Sequence, residues 1–173
     1  GANKGLGYEI VKKLLASTTP YEIILTARNP TLGQKAIDTL HTEFPSSTSK
    51  ITFHQLDVNG EGSLAALADW VQKTYGKLDV LVNNAGIAYH NPTDEEAKFT
   101  IQTNFLSVIK LTDKLVPLLA EDGKVLNMSS SLGLLSTQGE TLRKTLEDPK
   151  LDLPRLLETA NNFFEVTKDF PPG

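Results

Sequence analysis

Gly1-Ala2-Asn3-Lys4-Gly5-Leu6-Gly7 opens the chain, and its three glycines govern how everything after them is read. A pyrophosphate held by backbone N–H groups must lie against the chain, and a Cβ on the loop would push it away. Just after the glycines, Leu6, Ile10, Val11, Leu14 and Leu15 fall on one helical face. A helix starting near Gly5 aims the positive end of its dipole at whatever the loop holds. Glycines at the first, fifth and seventh places depart from the G-x-G-x-x-G fingerprint. Taken alone, the loop also suits a plain glycine turn between unrelated elements.

Working outward, apolar strands alternate with amphipathic helices. Residues 22–26 (EIILT) form a short β-rich run, and Asn29-Pro30 reads as a helix start, with Leu32, Ala36, Ile37, Leu40 and Phe44 behind it. Residues 51–57 read as the next strand, and Ser63 as the N-cap of a helix through Leu64, Leu67, Ala68, Val71 and Tyr75. Residues 78–83 (LDVLVN) make a third strand. A long helix is expected over 94–119, irregular at Pro117, and a last strand over 124–129 (KVLNMS). The alternation predicts an α/β fold, a doubly wound parallel sheet of Rossmann type with helices on both faces. No convincing strand follows Gly133. Leu153, Leu156, Leu157, Ala160, Phe163, Phe164 and Thr167 instead give an amphipathic helix entered through Asp152 and Pro154 and broken at Phe170-Pro171-Pro172-Gly173. A length of 173 residues fits one domain, with 134–170 as a helical insertion in it.

Composition removes several function classes. A net charge of -4 argues against a nucleic-acid footprint. With no cysteine there is neither a disulfide framework nor a thiol nucleophile. His41, His54 and His90 are not spaced by one helical turn, so no metal site is expected. No apolar run is long enough for a bilayer and no secretory signal opens the chain, so no membrane partner is expected and the cytoplasm is the expected compartment.

Three ordered motifs resemble the short-chain dehydrogenase/reductase family: Gly1-x-x-x-Gly5-x-Gly7, Asn83-Asn84-Ala85-Gly86 after an apolar strand, and Asn127-Met128-Ser129-Ser130-Ser131-Leu132-Gly133 after another. The resemblance covers residues 1–133. Leu25-Thr26-Ala27-Arg28, His54-Gln55-Leu56-Asp57 and residues 83–88 are similar to its carbonyl reductase branch, which also carries a helical insertion after the serine motif. The resemblance implies an NADPH-dependent carbonyl reductase that reduces an aldehyde, ketone or quinone. Gly1, Asn3, Lys4, Gly5, Leu6 and Gly7 would form the cofactor loop. Asp57, with Val58 beside it, would bond the adenine amine; the alternative is a strand-end acid that starts a turn with Asn59 and Gly60. Asn83, Ala85 and Gly86 would run along the ribose and support the sheet. Ser130 would hold the substrate carbonyl, with Ser129 and Ser131 one place away. Asn104, a poor helix former inside a helix, would free a carbonyl that holds a relay water. An insertion covering the face that pairs subunits in many members would favour a monomer.

The choice of NADP(H) over NAD also has a physical argument. An acid closing the second strand of such a fold bonds the ribose 2′-hydroxyl, whereas a cation suits the 2′-phosphate. Here that place holds Thr26-Ala27-Arg28, and Lys4 adds a second cation from the loop. Two solvated surface cations are the plain alternative.

Two absences complete the reading. The family's Tyr-x-x-x-Lys pair does not follow Ser130: the last tyrosine is Tyr89, so Lys168 has no partner. No strand precedes Gly1, although the first strand of such a sheet lies at its centre. Its neighbours are therefore expected to have unpaired edges, at about 1–3 kcal/mol per buried group. The sequence accordingly reads as a piece of a longer polypeptide, with the tyrosine beyond Gly173; a true truncation is the strained alternative. A non-catalytic NADPH-binding sensor or regulatory module stays open as a second function, and an interaction domain using the helix near 153–167 as a third.

Overall fold

The computed structural model describes residues 1–90 and 93–167, with side chains to residue 162 in the last helix. Pro92, Lys168 and the break at 170–173 lie outside the described residues, as do the side chains of Phe163, Phe164 and Thr167.

The fold is α/β with parallel strands. Its first half runs α1 (Gly5–Leu15), β1 (Glu22–Ala27), α2 (Pro30–Glu43) and β2 (Lys50–Gln55). β1 and β2 pair in parallel from Glu22↔Lys50 to Ala27↔Gln55. Ile23, Leu25 and Ile51 on one face of this pair pack with Val11 and Leu15 of α1 and Ala36, Ile37 and Leu40 of α2. α2 starts where Asn29-Pro30 predicts, since the Asn29 side chain accepts the Leu32 N–H. Leu6 and Leu32 do not join the core: they are 68% and 50% exposed. Both sit in first helical turns, which lie by the strand ends rather than over the sheet.

The second half contains α3 (Glu61–Thr74), β3 (Leu78–Asn83), α4 (Asp94–Ile101), α5 (Ser107–Leu115) and β4 (Leu119–Asn127). Leu64, Leu67 and Val71 of α3, Leu81 of β3 and Leu111 and Leu115 of α5 form a second cluster with Leu56. Four expectations are corrected here. Gly60, not Ser63, stands at the N-cap of α3. Ser63 lies one turn in, and its Oγ accepts the Asp57 N–H at 2.9 Å. The single helix expected over 94–119 is instead α4, one turn of π-helix at Gln102–Leu106, α5 and a 3-10 turn at Val116–Leu118 that contains Pro117. β2 ends at Gln55 rather than residue 57, because Asp57 turns away. The last strand starts earlier than residue 124, since Leu119 pairs with Leu78 before an irregularity, and regular register holds from Val80↔Lys124 to Asn83↔Asn127.

Among the described residues the strands do not form one sheet. They form two parallel pairs, β1–β2 and β3–β4. Residues 1–2 lie between them: the Ala2 N–H donates to Thr26 O at 2.9 Å, and Asn84 Nδ2 donates to Gly1 O at 2.6 Å. Among the described residues β1 pairs with no strand but β2, and β3 with none but β4.

Residues 134–162 are helical or irregular, as expected. α6 (Glu140–Leu146) precedes α7 (Leu153–Thr167), and Asp152 Oδ1 accepts the Arg155 N–H at 3.0 Å. Asp148 closes the corner between them, accepting from Arg155 Nη1 at 2.8 Å and from the Lys150 N–H at 2.9 Å. The Arg155 guanidinium, then the Lys150 N–H, hold its carboxyl below the ordinary value. A lowered folded-state value means that the corner's stabilisation is fully present above the ordinary carboxylate range and is lost as pH falls through the lowered value. The Lys150 amide nitrogen shift should therefore titrate with a midpoint below about 3.9; a midpoint at or above it would remove the interaction from the account.

Candidate functional site

Because paired strands run parallel, their carboxyl ends share one edge, where ligands of open α/β sheets bind. Arg28 follows β1, Asp57 follows β2, Asn83-Asn84-Ala85-Gly86 closes and follows β3, and Ser130 follows β4.

Two of the loop's three glycines are required by its own backbone. Gly5 has φ +62°, a backbone state that a Cβ disfavours. At Gly7 a Cβ would overlap the Gly1 carbonyl oxygen and come within 2.5 Å of Asn84 Nδ2. Around Gly1 the corresponding space is open. Lys4 takes the N-cap place of α1 but gives no side-chain cap, and no acid stands in the first turn. The first N–H groups of α1 are therefore left for an outside acceptor. Asn3 is partly buried in the loop, while Lys4, Leu6 and Arg28 are exposed. Gln55 Nε2 donates to Arg28 O at 3.1 Å, which fixes the backbone and leaves the guanidinium to solvent.

Asn84 is the residue that sequence reasoning missed. Its amide is the bolt between the loop and β3, and its partner lies 83 positions away. The signal was present as the second Asn of Asn-Asn-Ala-Gly. Asn83 supports the sheet: it is 6% exposed, and its Nδ2 donates to Thr112 Oγ1 at 3.0 Å and to Asn127 Oδ1 at 2.8 Å. Gly1, Val58, Asn83 and Ala85 line one cavity of about 30 Å³ with Asn84 and Thr26, so four expected cofactor residues do come together.

Asp57 makes the turn proposed as its alternative role. Its Oδ1 accepts the Asn59 N–H at 3.0 Å and its carbonyl accepts the Gly60 N–H at 3.1 Å. Asn104 sits in the π-helical turn and clamps Ile87 at both backbone groups: Oδ1 accepts the Ile87 N–H at 2.9 Å, and Nδ2 donates to Ile87 O at 2.8 Å. A Cβ on Gly86 would stand 3.3 Å from that Oδ1, so the small residue makes room for the clamp. Ser130 is exposed, and its Oγ accepts the Leu132 N–H at 3.2 Å. The Met128 N–H donates to Asn83 O at 2.9 Å, keeping the approach to Ser130 aligned with the end of β3. Among the described residues no group of three or more His, Asp or Glu could hold a metal ion. No helix there is long and apolar enough to cross a membrane.

The family model described as short chain dehydrogenase matches residues 1–142. The chain belongs to that family. As a short-chain dehydrogenase it is 37% identical to carbonyl reductase (NADPH) 3 of Rattus norvegicus, over 98% of this chain and 61% of the relative. It is 37% identical to carbonyl reductase (NADPH) 1 of Homo sapiens, over 97% of this chain and 61% of the relative. The chain thus spans about three fifths of the length of these curated relatives. Among solved structures, menthone neomenthol reductase of Mentha piperita superposes with a TM-score of 0.87 at 28% identity, covering 98% of this chain and 72% of that one. An NADPH-bound short chain oxidoreductase from Pseudomonas aeruginosa matches with a TM-score of 0.61 at 27% identity, over 72% of this chain and 49% of that one.

Proposed function

We propose that residues 1–173 form the NADP(H)-binding and carbonyl-holding part of a carbonyl reductase, an oxidoreductase acting on aldehydes, ketones or quinones. The observation that carries the reading is the uncapped start of α1 beneath a glycine loop that tolerates no Cβ at Gly7. The NADPH named for the carbonyl reductases supports the cofactor. When bound, NADPH supplies a hydride to the carbonyl carbon.

This chain's residues bind, orient and polarise. The N–H groups of the first turn of α1 hold the pyrophosphate, with Gly1, Asn3, Gly5, Leu6 and Gly7 shaping the approach. Arg28 and Lys4 hold the 2′-phosphate. Asp57 and Val58 take the adenine, and Asn83, Ala85 and Gly86 line the ribose. Ser130 Oγ holds the substrate carbonyl oxygen by a hydrogen bond, and Asn104 orders the relay water. Tyr8, Tyr21, Tyr75 and Tyr89 all precede Ser130. The reading therefore takes its proton donor from a tyrosine outside these residues, with a neighbouring lysine lowering its pKa from about 10. It also makes the protein a cytoplasmic monomer whose partner is the small-molecule carbonyl substrate, with no nucleic-acid or membrane partner.

Fluorescence titration with NADPH and NADH tests the cofactor assignment. Charge-assisted hydrogen bonds contribute about 1.5–3 kcal/mol each. The double change Arg28→Ala with Lys4→Ala should therefore weaken NADPH about tenfold or more, at unchanged NADH affinity. An equal loss for both cofactors would remove the 2′-phosphate role. Tight NADPH binding by the full-length protein without turnover of any carbonyl would favour the sensor reading instead.

A further inference from the structure

Thr103 and Asn104 are consecutive in the π-helical turn, yet they are tied to different loops. Asn104 clamps Ile87, beyond the end of β3. Thr103 is 5% exposed, and its Oγ1 accepts from Asn59 Nδ2 at 2.9 Å. The Asn59 N–H in turn donates to Asp57 Oδ1 at 3.0 Å. A path therefore runs from the turn to the side-chain amide of Asn59, and from the backbone N–H of the same residue to a carboxylate at the end of β2.

The turn is braced to serve as an anchor. The Ser107 N–H donates to Gln102 O, the wide pattern that makes it π-helical, and Ser107 Oγ donates to Thr103 O at 2.6 Å. Ser107 itself is only 2% exposed. A π-turn inserts one residue into the helical register, so neighbouring side chains can serve directions that a regular helix would not combine. The path is also narrow. Asn59 Oδ1 is buried without a hydrogen-bond partner, so the Thr103 hydroxyl is the one hydrogen-bonding group that holds the Asn59 side chain among the described residues.

We propose that this single turn aligns both ends of the cofactor cleft, with Thr103 the positioning residue for Asp57 at the adenine end and Asn104 fixing the Gly86–Ile87 end. The inference rests on the NADP(H) reading above. It predicts that adenosine recognition depends on a hydroxyl that touches no ligand.

The test uses the full-length protein, with adenosine 2′,5′-bisphosphate and NADPH as probes in calorimetry and steady-state kinetics. Thr103→Val keeps the shape and removes the hydroxyl; Thr103→Ser keeps the hydroxyl. Loss of one neutral hydrogen bond corresponds to about a two- to tenfold effect. The Val variant should bind adenosine 2′,5′-bisphosphate weaker by about that factor and raise KM for NADPH alike, with kcat unchanged; the Ser variant should restore both. Asn59→Ala should cost the same, and the double variant no more than either alone, because the two residues act through one bond. Unchanged affinity in the Val variant, additive losses in the double variant, or a fall in kcat equal to the rise in KM would each overturn the proposal. If the wild type binds NADPH while the variants show any of these, the cofactor reading stands. A wild type that binds neither probe overturns that reading and this one together.

Discussion

Ser130→Ala should lower kcat by about 10²–10³ while NADPH affinity stays unchanged. That size follows from the role: a donor aimed at the oxygen where charge develops contributes about 2.7–4 kcal/mol to the transition state. Among the described residues the Ser130 side chain makes one hydrogen bond, which it accepts from the Leu132 N–H on an exposed 3-10 turn. Losing that local cap costs about 1 kcal/mol, too little to unfold the core, so a large fall in turnover would report chemistry. The neighbours give the control. Ser129→Ala and Ser131→Ala alter the same loop and should leave most of the activity in place. If either abolished turnover while Ser130→Ala did not, the carbonyl-holding role would belong one place along. Steady-state kinetics on all three variants, beside NADPH titrations, decides it.

The second large effect is at Gly7. Valine there should abolish measurable NADPH binding, a loss of about a hundredfold or more, since at least two N–H contacts to a charged group would be displaced. The new Cβ would meet the Gly1 carbonyl and the Asn84 amide, neither of which can move without breaking their mutual hydrogen bond. Overpacking of this kind also costs about 1–3 kcal/mol of stability, so the variant needs a partner that separates the two effects. Gly1→Ala is that partner. Its Cβ would meet nothing within 4 Å, so urea unfolding should be unchanged while a ligand pressed against the loop would still be crowded. Weaker NADPH binding by Gly1→Ala at wild-type stability would locate the cofactor on the loop. Unimpaired binding by both variants would remove it from there.

Much of the fold was legible because its signals are local. Asn29-Pro30 started a helix where the side chain could cap it, and residues 22–26 and 78–83 were strands because β-branched and apolar residues ended at polar turns. What could not be read was decided by partners far away in sequence. Ser63 has the chemistry of a cap, but its hydroxyl is taken by Asp57 N–H six residues back. Residues 119–123 carry little β signal and become strand by the pairing of Leu119 with Leu78. The π-turn leaves no mark in hydrophobic periodicity; Asn104 only hinted at it as a poor helix former. The glycines, Arg28, Asp57 and Ser130 could be placed on the loop and after strand ends by motif. Asn84 stood in its motif without a partner to give it a role, and Asn59 and Thr103 carried no signal, because each matters through a hydrogen bond that spans at least 44 residues.

The glycine loop lies at the boundary between the two strand pairs. Each strand pair has its own apolar cluster, built largely from neighbouring elements of its own half. The first two residues cross that boundary and are sewn to Thr26 on one side and to Asn84 on the other. A dinucleotide lying on this loop would act as a clasp: whatever free energy it gains on binding is also gained by the closed arrangement of the two halves.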